Sequence, residues 1–175
     1  MGLFPEIDRA WIVIDNKLIL WDYTCADFTS YDEPSEIINS VALVKAKPGI
    51  FIDSITHLLI ICTDNTVQAV GLEAAIVTLA SGQTRREISL FATDIDVKTE
   101  GVPMFGTVGT SDGRVFMCGG KKDGSLYELV YQAKEGWFSR KCGLINHSLS
   151  TVATFMPSLL ATKASGKLRE SLFIL

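Results

Sequence analysis

The sequence predicts an all-β protein, a partial β-propeller of about three to four antiparallel blades. Three observations lead there. Apolar strand-like runs are joined by tight turns of Asp, Asn and Gly, the turns recur at near-equal intervals, and 175 residues make up only part of a closed ring.

The hairpins come first. Trp11 to Ile14 runs into Asp15-Asn16 and leaves through Lys17 to Trp21, and Leu58 to Cys62 runs into Asp64-Asn65 and leaves through Thr66 to Val70. Phe105 to Thr110 reaches Asp112-Gly113 and continues as Arg114 to Cys118, which turns again at Asp123-Gly124 into Ser125 to Tyr131. Asn and Gly tolerate the positive φ that two-residue hairpin turns demand, and the flanking residues are β-branched, aromatic or aliphatic.

The turn aspartates at 15, 64 and 112 lie 49 and 48 residues apart. That interval suits a four-stranded propeller blade of about 40 to 50 residues. A β-sandwich, the competing reading, places turns every ~8 to 12 residues without the longer period. At this period the chain holds roughly 3.6 blades, whereas propellers close with about four to eight. Inter-blade faces and strand edges are therefore expected to stay open unless further chain or partner segments cover them. Between the hairpins, the polar and acidic stretch Thr24 to Glu36 reads as a loop. Glu73 to Val102 mixes a helix-compatible run with Ser81-Gly82-Gln83 and Asp94-Ile95-Asp96, and reads as the outer strands of the second blade carrying a long insertion.

Composition narrows the function classes. The chain is 47% hydrophobic and 21% charged, a balance that supports a packed core rather than disorder. A net charge of −4 speaks against a nucleic-acid binder, which carries a basic face. The basic pairs Arg85-Arg86, Lys121-Lys122 and Arg140-Lys141 are scattered and read as solvated loops. Cys25, Cys62, Cys118 and Cys142 show no CxxC spacing, so neither a zinc site nor a disulfide framework is expected, and reduced thiols of a cytosolic or nuclear protein fit best. Asn146-His147-Ser148 is formally a glycosylation sequon, relevant only in the secretory pathway. No signal peptide or membrane-spanning run is visible. His57 and His147 are the only histidines, and no nucleophile elbow, zinc-protease helix or phosphate loop occurs. Asp94 and Asp96 fall on one face if they lie on a strand, but nothing singles them out as an acid/base pair. No enzyme activity, cofactor, metal or small-molecule substrate is expected.

A family resemblance is more specific. Gly2 to Ile7, Arg9-Ala10-Trp11 and Ile14-Asp15-Asn16 are followed in order by Val41 to Lys45, Lys47 to Phe51 and His57-Leu58-Leu59. Lys122 to Ala133, Glu135 to Ser139, Arg140-Lys141-Cys142 and Ile145 to Ser148 complete the series. Together they resemble the opening of the large inner-ring scaffold nucleoporin of the nuclear pore complex, over roughly residues 2 to 160. Ala46 and Cys62-Thr63-Asp64 depart from the family pattern, and the last fifteen residues match poorly. The resemblance implies an N-terminal seven-bladed propeller followed by an α-helical solenoid. It also implies a structural role at the nuclear envelope, supporting nucleocytoplasmic transport through contacts with other scaffold and linker nucleoporins and with the curved pore membrane. The alternative is a generic adaptor propeller mediating protein–protein contacts elsewhere in the cell.

One segment invites a physical test of the membrane expectation. On a helix at about 100° per residue, Leu149, Val152, Phe155, Met156, Leu159 and Leu160 gather on one face, while Ser150, Thr151, Thr154, Ser158 and Thr162 take the other. With no charge before Lys163, such a face binds lipid through apolar insertion into packing defects rather than through electrostatics. Pro157 interrupts the helical hydrogen-bonding, and a loop or short helix packed on the propeller rim is the competing reading. The expected organisation is residues 1–147 as partial propeller, 148–163 as this candidate segment and 164–175 as a tail.

Overall fold

The computed structural model describes residues 1–120, 124–133 and 141–148. Twelve strands among them form three separate four-stranded antiparallel sheets, each a meander of sequence-adjacent strands. Blade 1 contains β1 (Gly2–Phe4), β2 (Arg9–Ile14), β3 (Lys17–Asp22) and β4 (Asp27–Tyr31). Blade 2 contains β5 (Ser40–Lys45), β6 (Ile55–Cys62), β7 (Thr66–Thr78) and β8 (Thr84–Lys98). Blade 3 contains β9 (Met104–Gly109), β10 (Val115–Gly119), β11 (Leu126–Tyr131) and β12 (Cys142–Asn146).

The blades stack face to face. β5 lies against β9 and β8 against β12, first strand to first and last to last, as consecutive blades of a propeller do. Two glycines permit the close approach of blade 3 to blade 2. A Cβ on Gly109 would lie 2.7 Å from the Cβ of Val44. Gly113, at φ +83°, turns so close to Lys47 that a Cβ would fall 2.4 Å from its Cα.

The core sits in two layers on either side of blade 2. Leu59, Ile61, Val70 and Leu72 pack toward Phe4, Ile7, Leu18 and Leu20 of blade 1. Leu58, Ile60, Cys62, Val67 and Ala69 pack toward Met104, Val115, Met117 and Leu129 of blade 3. Successive strand side chains point to opposite faces, so the continuous apolar run from Leu58 to Cys62 serves both layers, and every residue in it is buried.

The structure corrects three sequence expectations. The Asp112-Gly113 turn joins the first and second strands of its blade, whereas the turns at Asp15-Asn16 and Asp64-Asn65 join the second and third. The equivalent junctions follow Ile14, Cys62 and Gly119, and the blade starts at Gly2, Ser40 and Met104 are also unequally spaced. The regular interval was a coincidence of non-equivalent hairpins. Second, the stretch expected to be a loop contains β4, paired with β3 from Leu18↔Tyr31 to Asp22↔Asp27. Its polarity suits an edge strand with one side in water. Third, Glu73 to Val102 does hold the outer strands of blade 2, as expected, but its extra length is not a separate insertion: β7 and β8 run past the start of β6 as a long hairpin closed by Leu79 N–H donating to the Gln83 carbonyl (2.8 Å).

Candidate interaction surfaces

The six residues singled out as a lipid-facing stripe, Leu149, Val152, Phe155, Met156, Leu159 and Leu160, lie outside the described residues, as do Lys121-Lys122 and Arg140. The described residues carry three other features fit for contact with macromolecules.

The first is the outward face of blade 1. Cross-strand register puts Leu3, Ala10, Trp21 and Phe28 in one row and Ile12 beside Ile19 in the next. Leu3 and Phe28 are each 66% exposed, and Ile12, Ile14 and Trp21 are also exposed. Met1, Leu3, Ala10, Trp11, Ile12 and Trp21 line a shallow apolar groove of about 500 Å³ there.

The second is the outward face of blade 3, where Phe105, Val108, Leu126 and Ile145 are exposed. It differs in carrying an ionic cluster. Arg114 donates to both carboxylate oxygens of Glu128 (Nε–Oε1 2.8 Å, Nη2–Oε2 2.9 Å). His147 Nε2 lies 2.7 Å from Oε2, and the Arg114 guanidinium stands 4.8 Å from the centre of the Phe116 ring. The bonds from Arg114, with that from His147, hold the Glu128 carboxyl down at about 2 despite its burial. Sequence reasoning missed this cluster because its members converge only through cross-strand pairing, Phe116 opposite Glu128 and Glu128 opposite Ile145.

The third is the β7–β8 hairpin, which reaches across to blade 1. Arg9, nearly buried, pairs with Asp22 at 2.7 Å and donates to the Arg86 carbonyl at 2.6 Å. Arg86 in turn donates to the Glu6 carbonyl (2.7 Å) and the Asp8 carboxylate (2.8 Å). The Arg85-Arg86 pair, expected in a solvated loop, is therefore on a strand and part of the seam between two blades. Burial pushes the Asp22 carboxyl up, but the bonds from Thr24 and Cys25 and the Arg9 charge outweigh it, and its pKa lies below the ordinary value.

The other residues weighed as candidates from the sequence have structural partners. Asp94 pairs with Lys141, and Asp96 accepts from Gln68. His57 lies beside the Thr56 hydroxyl, and burial lowers its pKa. The cysteines are free thiols, with burial raising Cys62 to about 11, and no cluster of metal-ligating side chains occurs among the described residues.

Comparison with known proteins agrees with this stack of blades. Residues 1–172 match the nucleoporin family described as Nup133 N terminal like. The chain is 41% identical over 167 residues to the probable nucleoporin C890.06 of Schizosaccharomyces pombe, covering 95% of this chain and 12% of that protein. It is 40% identical over 161 residues to nucleoporin NUP170 of Chaetomium thermophilum, covering 91% and 11%. To Nup154 of Drosophila melanogaster it is 38% identical over 163 residues, again 91% and 11%. The crystal structure of the Chaetomium thermophilum Nup170 N-terminal domain in complex with Nup53 superposes with a TM-score of 0.75 at 41% identity, over 84% of this chain and 21% of that one. The chain thus spans about a tenth of the length of the curated relatives it matches. With identity this high over nearly all of its length, and with its blades superposing on the Nup170 N-terminal domain, the chain belongs to this nucleoporin family, structural rather than enzymatic proteins of the nuclear pore complex at the nuclear envelope.

Proposed function

We propose that this chain is an N-terminal portion of an inner-ring scaffold nucleoporin that supports nucleocytoplasmic transport by holding other nucleoporins, a Nup53-type partner among them, against the pore membrane. The observation that carries this reading is the three-blade stack with an apolar face open at each end, superposable on a domain solved with Nup53. Such faces are suited to burial against further protein, and no chemistry is required of them. Tagged whole protein is expected at the nuclear rim and to co-purify with the Nup53 relative of its own organism. A diffuse distribution together with failure to co-purify would sink the reading in favour of a general adaptor propeller.

Membrane contact belongs to the same proposal and rests on residues 148–163. Burial of the six apolar side chains is opposed by the conformational entropy lost in ordering the segment, so binding depends on how much apolar surface the lipid packing lets it bury. Flotation with small and large neutral vesicles tests this, with a paired Phe155→Asp, Leu159→Asp variant as control. Preference for small vesicles, lost in the variant, is expected; absence of binding to both sizes excludes membrane contact by this segment.

A further inference from the structure

The long hairpin of blade 2 ends in an unpaired strand edge whose geometry can be assigned residue by residue. Thr63 N–H donates to the Thr66 carbonyl (2.9 Å) at the β6–β7 turn, and antiparallel hydrogen bonding alternates along a strand. Even-numbered residues of β7 therefore turn their backbone groups toward β6. The Leu79-to-Gln83 bond at the other turn gives the odd-numbered ones to β8, in agreement. β6 begins at Ile55, opposite Glu73. Beyond it, Ala74, Ile76 and Thr78 still pair with β8 through Ile88, Arg86 and Thr84, but their own N–H and C=O groups point to the side that β6 has vacated. Among the described residues, no strand is in register with Ala74, Ile76 or Thr78 on that side, the β6 register ending at Ile55↔Glu73.

The two edges of this ribbon differ. Its β8 edge is anchored: the Arg86 carbonyl, outward on that side, accepts from Arg9, and the Arg86 side chain grips Glu6 and Asp8. Its β7 edge has no partner strand beyond Glu73 and carries the apolar Ile76, 71% exposed. A two-stranded ribbon is marginal in water and gains from a third strand, and a row of unpaired alternate donors and acceptors accepts extended backbone above any other ligand.

We infer that the edge Ala74–Thr78 is a strand-addition site that takes an extended segment of another protein, with an apolar side chain set against Ile76. This deepens the scaffold role proposed above and rests on it. The edge offers three outward positions over five residues, about 17 Å. That suits a linear segment and falls far short of the roughly 800 Å² per partner that a stable pairing of folded copies buries.

Proline separates backbone from side-chain recognition here. Ile76→Pro removes an outward N–H and leaves the β7–β8 ladder whole, because proline is tolerated on the free side of an edge strand. Ile76→Thr keeps the N–H. The probes are synthetic peptides tiled through the other nucleoporins of the same organism, read by fluorescence anisotropy and by amide hydrogen exchange. A binding peptide is expected to protect the Ala74, Ile76 and Thr78 amides. Its affinity should fall at least tenfold in Ile76→Pro and less than threefold in Ile76→Thr. Thermal melts verify that the variants fold, and Thr78→Pro stands in if Ile76→Pro does not. The inference is overturned if no peptide binds, if binding leaves those amides exchanging freely, if the proline variant binds as well as the parent, or if protection appears without peptide as concentration rises, which would assign the edge to a second copy. Nuclear-rim localisation of whole protein carrying Ile76→Pro keeps the two readings apart: retained localisation without peptide binding overturns this site alone, whereas the parent's absence from the rim overturns the scaffold role itself.

Discussion

Replacing Arg9 by methionine should be among the most damaging single changes to this chain. Arg9 is 5% exposed, and its guanidinium pairs with an Asp22 that is 3% exposed and donates to the Ile7, Asp8 and Arg86 carbonyls. Arg9→Met keeps much of the stem's packing but leaves a buried carboxylate without its countercharge. Breaking a buried pair from one side costs about 3–5 kcal/mol, against a typical total stability of about 5–15 kcal/mol. Asp22 retains the Thr24 N–H (2.9 Å) and hydroxyl (2.5 Å), which places the expected loss near the lower end, about 3 kcal/mol. Adding Asp22→Asn removes the stranded charge while preserving an acceptor for Thr24, so the double variant should regain about 1–2 kcal/mol. Urea unfolding of the four proteins measures both quantities. Hydrogen exchange should show the blade 1 amides losing protection first, since Arg9 joins that blade to the β7–β8 arm. A single-variant loss below about 1 kcal/mol, or two losses that simply add, would refute the account of a charge-sensitive seam.

Three further outcomes are expected. Glu128, held at about 2 against an ordinary 4.5, binds fewer protons folded than unfolded. It therefore stabilises fully above about pH 4.5 and loses that contribution as pH falls toward 2. Arg114 is half exposed, so solvent screening limits the effect to about 1 kcal/mol at most, and Glu128→Gln should forfeit it at neutral pH and flatten the acid limb of a stability–pH profile. Gly113→Ala, which combines a φ of +83° with a Cβ 2.4 Å from the Lys47 Cα, should cost at least ~2 kcal/mol by denaturant melt. Cys62, buried with its thiol raised to about 11, should resist a thiol reagent at pH 8 until the chain unfolds, while exposed Cys25 and Cys118 react at once; prompt labelling of Cys62 would contradict the packing of blade 2 on blade 3.

What the sequence revealed was local. The hairpins at Asp15-Asn16 and Asp64-Asn65 could be read because turn chemistry and flanking apolar runs agree within a few residues. β4 escaped notice because Asp27-Phe28-Thr29-Ser30-Tyr31 is an edge strand whose pairing, not its composition, makes it a strand. The outer strands of blade 2 were legible between Glu73 and Val102, but their continuity as one long β7–β8 hairpin was not. Leu72 to Val77 fits a helix or a strand by apolar content alone, and only its six partners on β8, from Leu72↔Leu90 to Val77↔Arg85, decide. The ion pairs at Arg9, Arg86 and Glu128 were out of reach, since each joins residues that register or blade stacking brings together. Arg86 and Asp8, for instance, lie 78 residues apart.

The apolar pattern of the end blades carries the last step of the argument. In blade 2, strand β6 is apolar at odd and even positions alike because a neighbour covers each face. A blade with one face in water would alternate instead. Strand β3 does not: Leu18 and Leu20 point into the core, yet Ile19 and Trp21 on the other side are apolar too. Blade 3 repeats this, with Met117 and Leu129 buried toward blade 2 and Phe105, Val108, Leu126 and Ile145 exposed on the far side. Solvated faces of that composition invite association, and Trp21 with Phe28 and Phe105 are costly to leave wet. Both end blades therefore carry the side-chain pattern of interior blades, and the surfaces exposed in this chain are best explained as interfaces that await further protein.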